Sequence, residues 1–366
     1  MSILLIGEAW GQEELRLGIP FVGPSGGFLL RLLSDAGIIE FDATDKMLMN
    51  QYYKTRNPRY NAKIWERHSD LHRTNVFNLH PDGNDLATLC GPKFLGLDDY
   101  PALVKSKYVS RQYATELDRL ANELLTINPN IVICLGNTPF WALSGRTGIK
   151  KFRGSTFLST HCAADFKCIA TYHPSYLFKQ PKDRSIVIAD LIKALRESTT
   201  PTIRRPEREI WIEPTISDIE TFISSVIRRE GVRPLSVDIE TSGERITCLG
   251  MGYSGVAIVI PFDDPRGKSR SYWATAEFEY DAWKLIVGVL EDQSIPKLFQ
   301  NGLYDIAFLY RSMGIRVMGA SEDTMLAHHA LQPEMIKDLG FLGSVYTDEG
   351  AWKHLGKKAK TIKGDN

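Results

Sequence analysis

Ile3-Leu4-Leu5-Ile6-Gly7-Glu8-Ala9-Trp10-Gly11 is the stretch from which the fold of the first half can be read. Four consecutive apolar residues without polar alternation indicate a strand covered on both faces, the pattern of a parallel sheet. The run breaks at Gly7-Glu8, so a small residue and a carboxylate stand at the strand's carboxyl end. Comparable runs recur at 75–79, 131–135 and 168–172. Between them, Phe28, Leu29, Leu32 and Leu33 have helical spacing, as do Leu117, Leu120, Leu124 and Leu125, and a helical pattern covers 186–195. Strands alternating with helices predict an α/β domain with a mainly parallel sheet.

Ligands of such sheets bind beyond the carboxyl ends of the strands. The first strand leads into Gly7 through Glu14 and then Gly18-Ile19-Pro20-Phe21-Val22-Gly23-Pro24-Ser25-Gly26-Gly27. The second leads into Asn78-Leu79-His80-Pro81, the third into Gly136-Asn137, and the fourth into His173-Pro174-Ser175-Tyr176-Leu177. The glycine-rich stretch lacks the Lys-Ser/Thr of a P-loop and the close spacing of a dinucleotide fingerprint. Four strand ends carrying amide, imidazole, carboxylate and aromatic groups nevertheless supply what a polar pocket needs.

In their order along 1–197, these motifs resemble the uracil-DNA glycosylase superfamily, most closely its family 4 branch. The matching segments are Gly7–Glu14, Gly18–Gly26, Thr74-Asn75-Val76 and His173-Pro174-Ser175. The resemblance implies that Phe21 stacks on an extruded uracil and that Asn75 hydrogen-bonds its edge, an amide being able both to donate and to accept there. His173 would stabilise the leaving base, and Glu8, or Glu13 or Glu14, would steer the attacking water. Tyr176 and Leu177 would press into the minor groove, and Lys179, Lys182 and Arg184 would contact phosphate. Two departures stand out. Trp10 replaces the family's Pro. The four cysteines of the family's iron–sulfur cluster find no matching set among Cys90, Cys134, Cys162, Cys168 and Cys248, so no iron–sulfur cluster is expected. A glycosylase-shaped platform that senses uracil without cutting it is the alternative.

The second half has strand patterns at 235–239, 246–253 and 256–261, then a helix at 283–290, a strand at 297–300 and a helix at 304–310. That order predicts a mixed sheet with helices packed on it. Asp238 and Glu240 are two apart on a strand and share a face. Such a pair is costly without a cation. Asn301 and Asp305 are four apart at a helix start, so both can face one way. Asp238-Ile239-Glu240, followed 67 positions later by Asp305, resembles the ribonuclease H-like 3′–5′ exonuclease domain of family A DNA polymerases. The resemblance implies that Asp238, Glu240 and Asp305 hold two Mg²⁺ or Mn²⁺ ions, with Asn301 placing the terminal nucleotide of a single-stranded or frayed 3′ end. Asp323 is expected to cap a helix rather than bind metal.

Composition agrees with two globular domains: 366 residues, 43% hydrophobic and 24% charged, with no net charge. Residues 1–200 carry 24 Lys+Arg against 20 Asp+Glu, and 201–366 carry 20 against 24. No apolar run approaches the ~20 residues of a membrane span. The odd, scattered cysteines suggest reduced thiols and a cytoplasmic setting, that of a host cell for a phage protein. The expected division is a glycosylase-like domain at 1–199, a linker at 200–212, and an exonuclease-like domain at 213–366. This order matches the front of a phage-type DNA polymerase, whose polymerase domain would be the partner. The exonuclease's fourth aspartate motif, Tyr-x-x-x-Asp, is missing: Glu334, Ser344 and Thr361 precede Asp338, Asp348 and Asp365. The chain is therefore expected to be a piece of a longer protein, ending in the Lys-rich stretch 353–366.

Overall fold

The computed structural model describes residues 2–230, 233–264, 266 and 271–352. The stretch 353–366, with Asp365, lies outside the described residues. The chain forms two compact units, Met1–Arg204 with Gly343–Asn366, and Arg205–Leu342.

In the first unit the strands are β1 (Ile3–Ala9), β2 (His72–Phe77), the short pair β3 (Cys90–Gly91) and β4 (Tyr108–Val109), β5 (Ile131–Leu135), β6 (Thr156–Leu158) and β7 (Lys167–Thr171). The main sheet has the order β2-β1-β5-β7-β6. β2, β1, β5 and β7 run parallel, and β6 closes the edge antiparallel. Ile3 through Ile6 are buried because helices cover both faces. The chain leaves β1 for β2 on one side and returns through β5 on the other, so the sheet's switch point lies between β1 and β5, where a ligand crevice opens.

The helices are α1 (Gln12–Leu17), α2 (Pro24–Asp35), α3 (Ala43–Thr55), α4 (Arg59–Arg67), α5 (Ala114–Ile127), α6 (Asn137–Ser144) and α7 (Arg184–Glu197). α5 buries Leu117, Leu120 and Leu124 of the expected apolar stripe, while Leu125 is exposed. Every residue of α6 from Thr138 to Ser144 is buried, which erases any amphipathic signal.

The segment that begins at Gly343, expected to belong to the exonuclease-like domain, instead completes this unit. Arg153 and Asp190 form an ion pair, each side chain 2% exposed. Thr171 Oγ1 donates to Asp190 at 2.7 Å, and Arg153 Nη1 donates to Ser344 Oγ at 3.1 Å. Lys193 Nζ donates to the Thr347 carbonyl at 2.6 Å. Buried charges persist only with such partners.

The second unit holds β8 (Glu209–Ile212), β9 (Leu235–Ser242), β10 (Arg245–Tyr253), β11 (Val256–Pro261), β12 (Lys297–Phe299) and β13 (Ala320–Asp323) in the order β13-β12-β9-β10-β11-β8. β9, β10 and β11 form an antiparallel meander, while β12, β13 and β8 join in parallel, giving the expected mixed sheet. On β9, Leu235, Val237 and Ile239 face the core and Ser236, Asp238 and Glu240 face outward. Glu209–Ile212, expected to lie in the linker, is instead the edge strand β8, with Ile210 and Ile212 exposed. Among the described residues no helix is long and apolar enough to cross a membrane.

Candidate active sites

The carboxyl end of β1 carries the first site. Gly7 pairs with Asn75 across the ladder. A Cβ placed on Gly7 would lie 2.3 Å from Asn75 Oδ1 and 2.6 Å from Phe21 Cζ. The amide and the aromatic ring therefore converge over a floor that only glycine permits. Asn75 is 3% exposed. An amide so withdrawn from water favours any ligand edge that offers it hydrogen bonds. Phe21 has φ +61°, a left-handed backbone that costs a bulky residue about 1–3 kcal/mol.

His173 follows β7 and lies against the next strand end: a Cβ on Gly136 would be 3.0 Å from His173 Cβ. The Ser175 backbone N–H donates to His173 Nδ1 at 3.2 Å, and Ser175 Oγ lies 2.7 Å from the same nitrogen. Desolvation lowers the imidazole's pKa to about 4. The ring is thus neutral near pH 7, with Nδ1 accepting and Nε2 carrying the proton.

Glu8 stands beside Gly7. Thr138 Oγ1, from the start of α6, donates to Glu8 Oε2 at 2.7 Å across the switch point. Burial pushes the Glu8 carboxyl up, partly offset by that hydroxyl. The two other carboxylates considered for steering water have other tasks. Glu14 Oε1 accepts the Gly23 N–H at 2.7 Å, and Glu13 pairs with Arg16 at 2.7 Å. Trp10 is pinned rather than loose, its Nε1 donating to Asn78 Oδ1 at 3.0 Å.

The loop after His173 departs from expectation. Leu177 is 2% exposed and points inward, because the 3₁₀ turn Pro174–Phe178 rotates it into the unit. Phe178 is the exposed apolar residue, 53% accessible, with its ring 5.6 Å from that of Phe28. Tyr176 OH donates to Asp183 at 2.8 Å, Arg184 pairs with Asp35, and Lys179 and Lys182 are exposed.

In the second unit, Asp305 is 4% exposed and its Oδ1 accepts the Ile239 N–H at 3.1 Å. Burial lifts its pKa to about 6, and the charges of Asp238 and Asp323 add to the rise. Asp238 and Glu240 stand on the outer face of β9. Among the described residues, no three His, Cys, Asp or Glu side chains are grouped to hold a metal ion. Asp305 turns to the strand backbone, whereas Asp238 and Glu240 lie on the exposed face of β9. Asn301 is not on a helix face with Asp305. It has φ +61° and caps the helix Gly302–Met313 from outside, so the four-residue spacing does not align them. Asp323 is the helix cap that its sequence position suggests. It accepts from Met325 N at 2.8 Å and also from Gly302 N at 2.8 Å. Although burial opposes it, these backbone donors hold its carboxyl below the usual range. Thr241 and Tyr304, unnoticed in the sequence, join their hydroxyls at 2.7 Å beside Glu240.

A parallel α/β unit that sets an amide and a ring over Gly7, and an imidazole beside Gly136 at another strand end, defines a domain of the glycosylase class. The chain belongs to the uracil DNA glycosylase superfamily, whose family model matches residues 1–196. Relatives include the type-4 uracil-DNA glycosylases of Thermotoga maritima, 26% identical over 52% of this chain and 75% of that protein, and of Archaeoglobus fulgidus, 24% identical over 52% and 74%. Residues 214–358 match the 3′–5′ exonuclease family model. Solved structures similar in part are the EXD2 exonuclease domain soaked in Mn and Mg, with 17% identity and TM-score 0.26 over 34% of this chain and 58% of that one. Another is the Trypanosoma brucei RNase D:GMP complex, with 19% identity and TM-score 0.26 over 34% and 35%. Both matched families are families of hydrolases.

Proposed function

We propose that the chain is a DNA-processing hydrolase that removes uracil from DNA and carries a metal-dependent 3′–5′ exonuclease module. The observation that carries the first part is the convergence of Asn75 and Phe21 over Gly7. Phe21 stacks on the extruded base and Asn75 reads its edge. As the bond between sugar C1′ and base N1 breaks, negative charge gathers on the base. His173 Nε2–H donates to the developing anion at O2, and a neutral donor serves here because it needs no proton from solvent. Glu8 orients water toward C1′ and takes its proton, and Thr138 holds the carboxylate. Phe178, exposed where Leu177 is buried, would wedge the duplex, Tyr176 would press beside it, and Lys179, Lys182 and Arg184 would contact phosphates. A specific observation favours a second reading, uracil held without cutting: burial makes Glu8 harder to ionise.

In the second unit, Asp238, Glu240 and Asp305 are all-oxygen donors, the set that Mg²⁺ or Mn²⁺ prefers. Asp305, held protonated near pH 6 by burial and a neighbouring carboxylate, has the most to gain from a cation. A bound ion would supply an activated water and stabilise the leaving 3′ oxygen. The chain's own Asn301 would position the terminal nucleotide of a single-stranded 3′ end. A glycosylase-like unit followed by an exonuclease-like one would suit the amino-terminal part of a phage-type replicative polymerase acting in the cytoplasm, with the polymerase domain as partner.

The test is incubation with a single strand bearing one uracil. Release of free uracil supports excision. Binding that prefers uracil over thymine without release selects the sensing platform. No preference for uracil defeats both.

A further inference from the structure

Phe21 needs an unfavourable backbone to lie over Gly7, and α4 supplies two buried donors to the carbonyls of that turn. Trp65 Nε1 donates to the Phe21 carbonyl at 2.8 Å. Asn61 Nδ2 donates to the Val22 carbonyl at 2.7 Å and reaches the Gly23 carbonyl at 3.4 Å. Asn61 and Trp65 are four apart, one turn of the same helix face, and both are 0% exposed. The Trp65 ring also packs against the Phe21 ring, with centroids 6.5 Å apart. From the other side, Gly26 of α2 comes so close that a Cβ there would lie 1.8 Å from the Phe21 oxygen. Behind Trp65, the Arg73 guanidinium carbon sits 4.7 Å from the indole centroid.

We infer that Asn61 and Trp65 are positioning residues for base recognition, a two-donor clamp that locks the left-handed Phe21 turn and so aims its ring at the base. The inference rests on the proposed role of Phe21 as the stacking face. A buried indole N–H needs some hydrogen-bond partner, and most core carbonyls would serve. Here its one polar atom is spent on the single backbone carbonyl whose position sets the pocket wall, and the neighbouring carbonyls are held by the next donor along the helix.

Because stacking acts on bound substrate and transition state alike, loosening the ring should raise KM and leave kcat nearly unchanged. The experiment uses the full chain and single strands carrying uracil or thymine at one position. Trp65→Phe keeps an aromatic ring and deletes the donor. It is expected to weaken uracil binding about tenfold, the worth of one hydrogen bond, with kcat within about twofold of wild type. In a Phe21→Ala background, the same substitution should change nothing further, because its effect runs through the ring. Asn61→Ala should act in the same direction, and if it does not fold, Trp65→Phe still decides the matter. An unchanged KM in soluble, folded Trp65→Phe overturns the clamp, as does a full additional loss in the Phe21→Ala background. Should wild-type protein show no preference for uracil over thymine, the pocket reading itself fails and the clamp falls with it. A wild-type preference that survives undiminished in Trp65→Phe defeats the clamp alone.

Discussion

The Ser175 backbone N–H points at His173 Nδ1 from 3.2 Å, and that contact fixes which ring nitrogen is left to act. With Nδ1 occupied as acceptor, Nε2 holds the hydrogen and is the nitrogen left to donate. Replacing His173 by Ala should lower uracil excision by about 10²–10³, the usual loss for one oxyanion donor. An unaltered rate would assign His173 a structural role only.

The same histidine makes stability depend on acid. Its folded-state pKa is about 4, against an ordinary value of 6.5. The unfolded chain therefore takes up a proton between those values that the folded chain refuses. Stability from this group is complete above pH 6.5 and declines as pH falls toward 4. Thermal midpoints measured from pH 7 to 4 should drop less steeply in His173→Asn than in wild type, and parallel curves would contradict the assignment.

Gly7→Ala puts a methyl group into a space that Asn75 and Phe21 already fill. Overpacking should cost about 1–3 kcal/mol of stability. Discrimination between uracil and thymine strands should collapse, since either the amide or the ring must move. Circular dichroism would confirm that the variant folds, and retained discrimination would show that the Asn75–Phe21 convergence over Gly7 is not the base site.

For the second unit, protons and cations should compete at Asp305. Its carboxyl titrates near pH 6, so Mn²⁺ affinity should rise with pH through that value and level off above it. Asp305→Asn should abolish the pH dependence. Binding that ignores pH between 5 and 7 would place the cation elsewhere.

Because the exonuclease resemblance implies four carboxylates and only Asp238, Glu240 and Asp305 stand at matching positions, Mg²⁺- or Mn²⁺-dependent trimming of a single-stranded 3′ end by these 366 residues should be low or absent. Robust trimming that disappears in Asp238→Ala would mean that another acid, such as Asp348 or Asp365, completes the site.

Much of the architecture could be read because uninterrupted apolar runs mark buried parallel strands, and because strand ends say where to seek a pocket. Asn75, Phe21, His173 and Glu8 all lie near or beyond such ends. What escaped reading has identifiable causes. α4 hides its buried face because that face includes an amide, Asn61, beside Ile64 and Trp65. Thr138 escaped because the strand-end motif stops at Gly136-Asn137, whereas the next residue begins the buried part of a helix. Leu177 and Phe178 differ by one position, and only the 3₁₀ turn decides which of them faces out. The left-handed cap at Asn301 defeated a spacing argument that assumes regular helix.

The first unit is not a contiguous stretch of sequence: the chain leaves it after Arg204 and returns at Gly343. The intervening unit is therefore spliced in like a cassette, anchored at both of its ends. Arg153 and Lys193 draw two of their partners, Ser344 and the Thr347 carbonyl, from beyond the return point. A recombinant glycosylase half trimmed near residue 200 would strip these partners from an ion-paired interior. By contrast, a protease nick in the 200–206 stretch would leave the returning strap seated, and the severed pieces could remain associated through it.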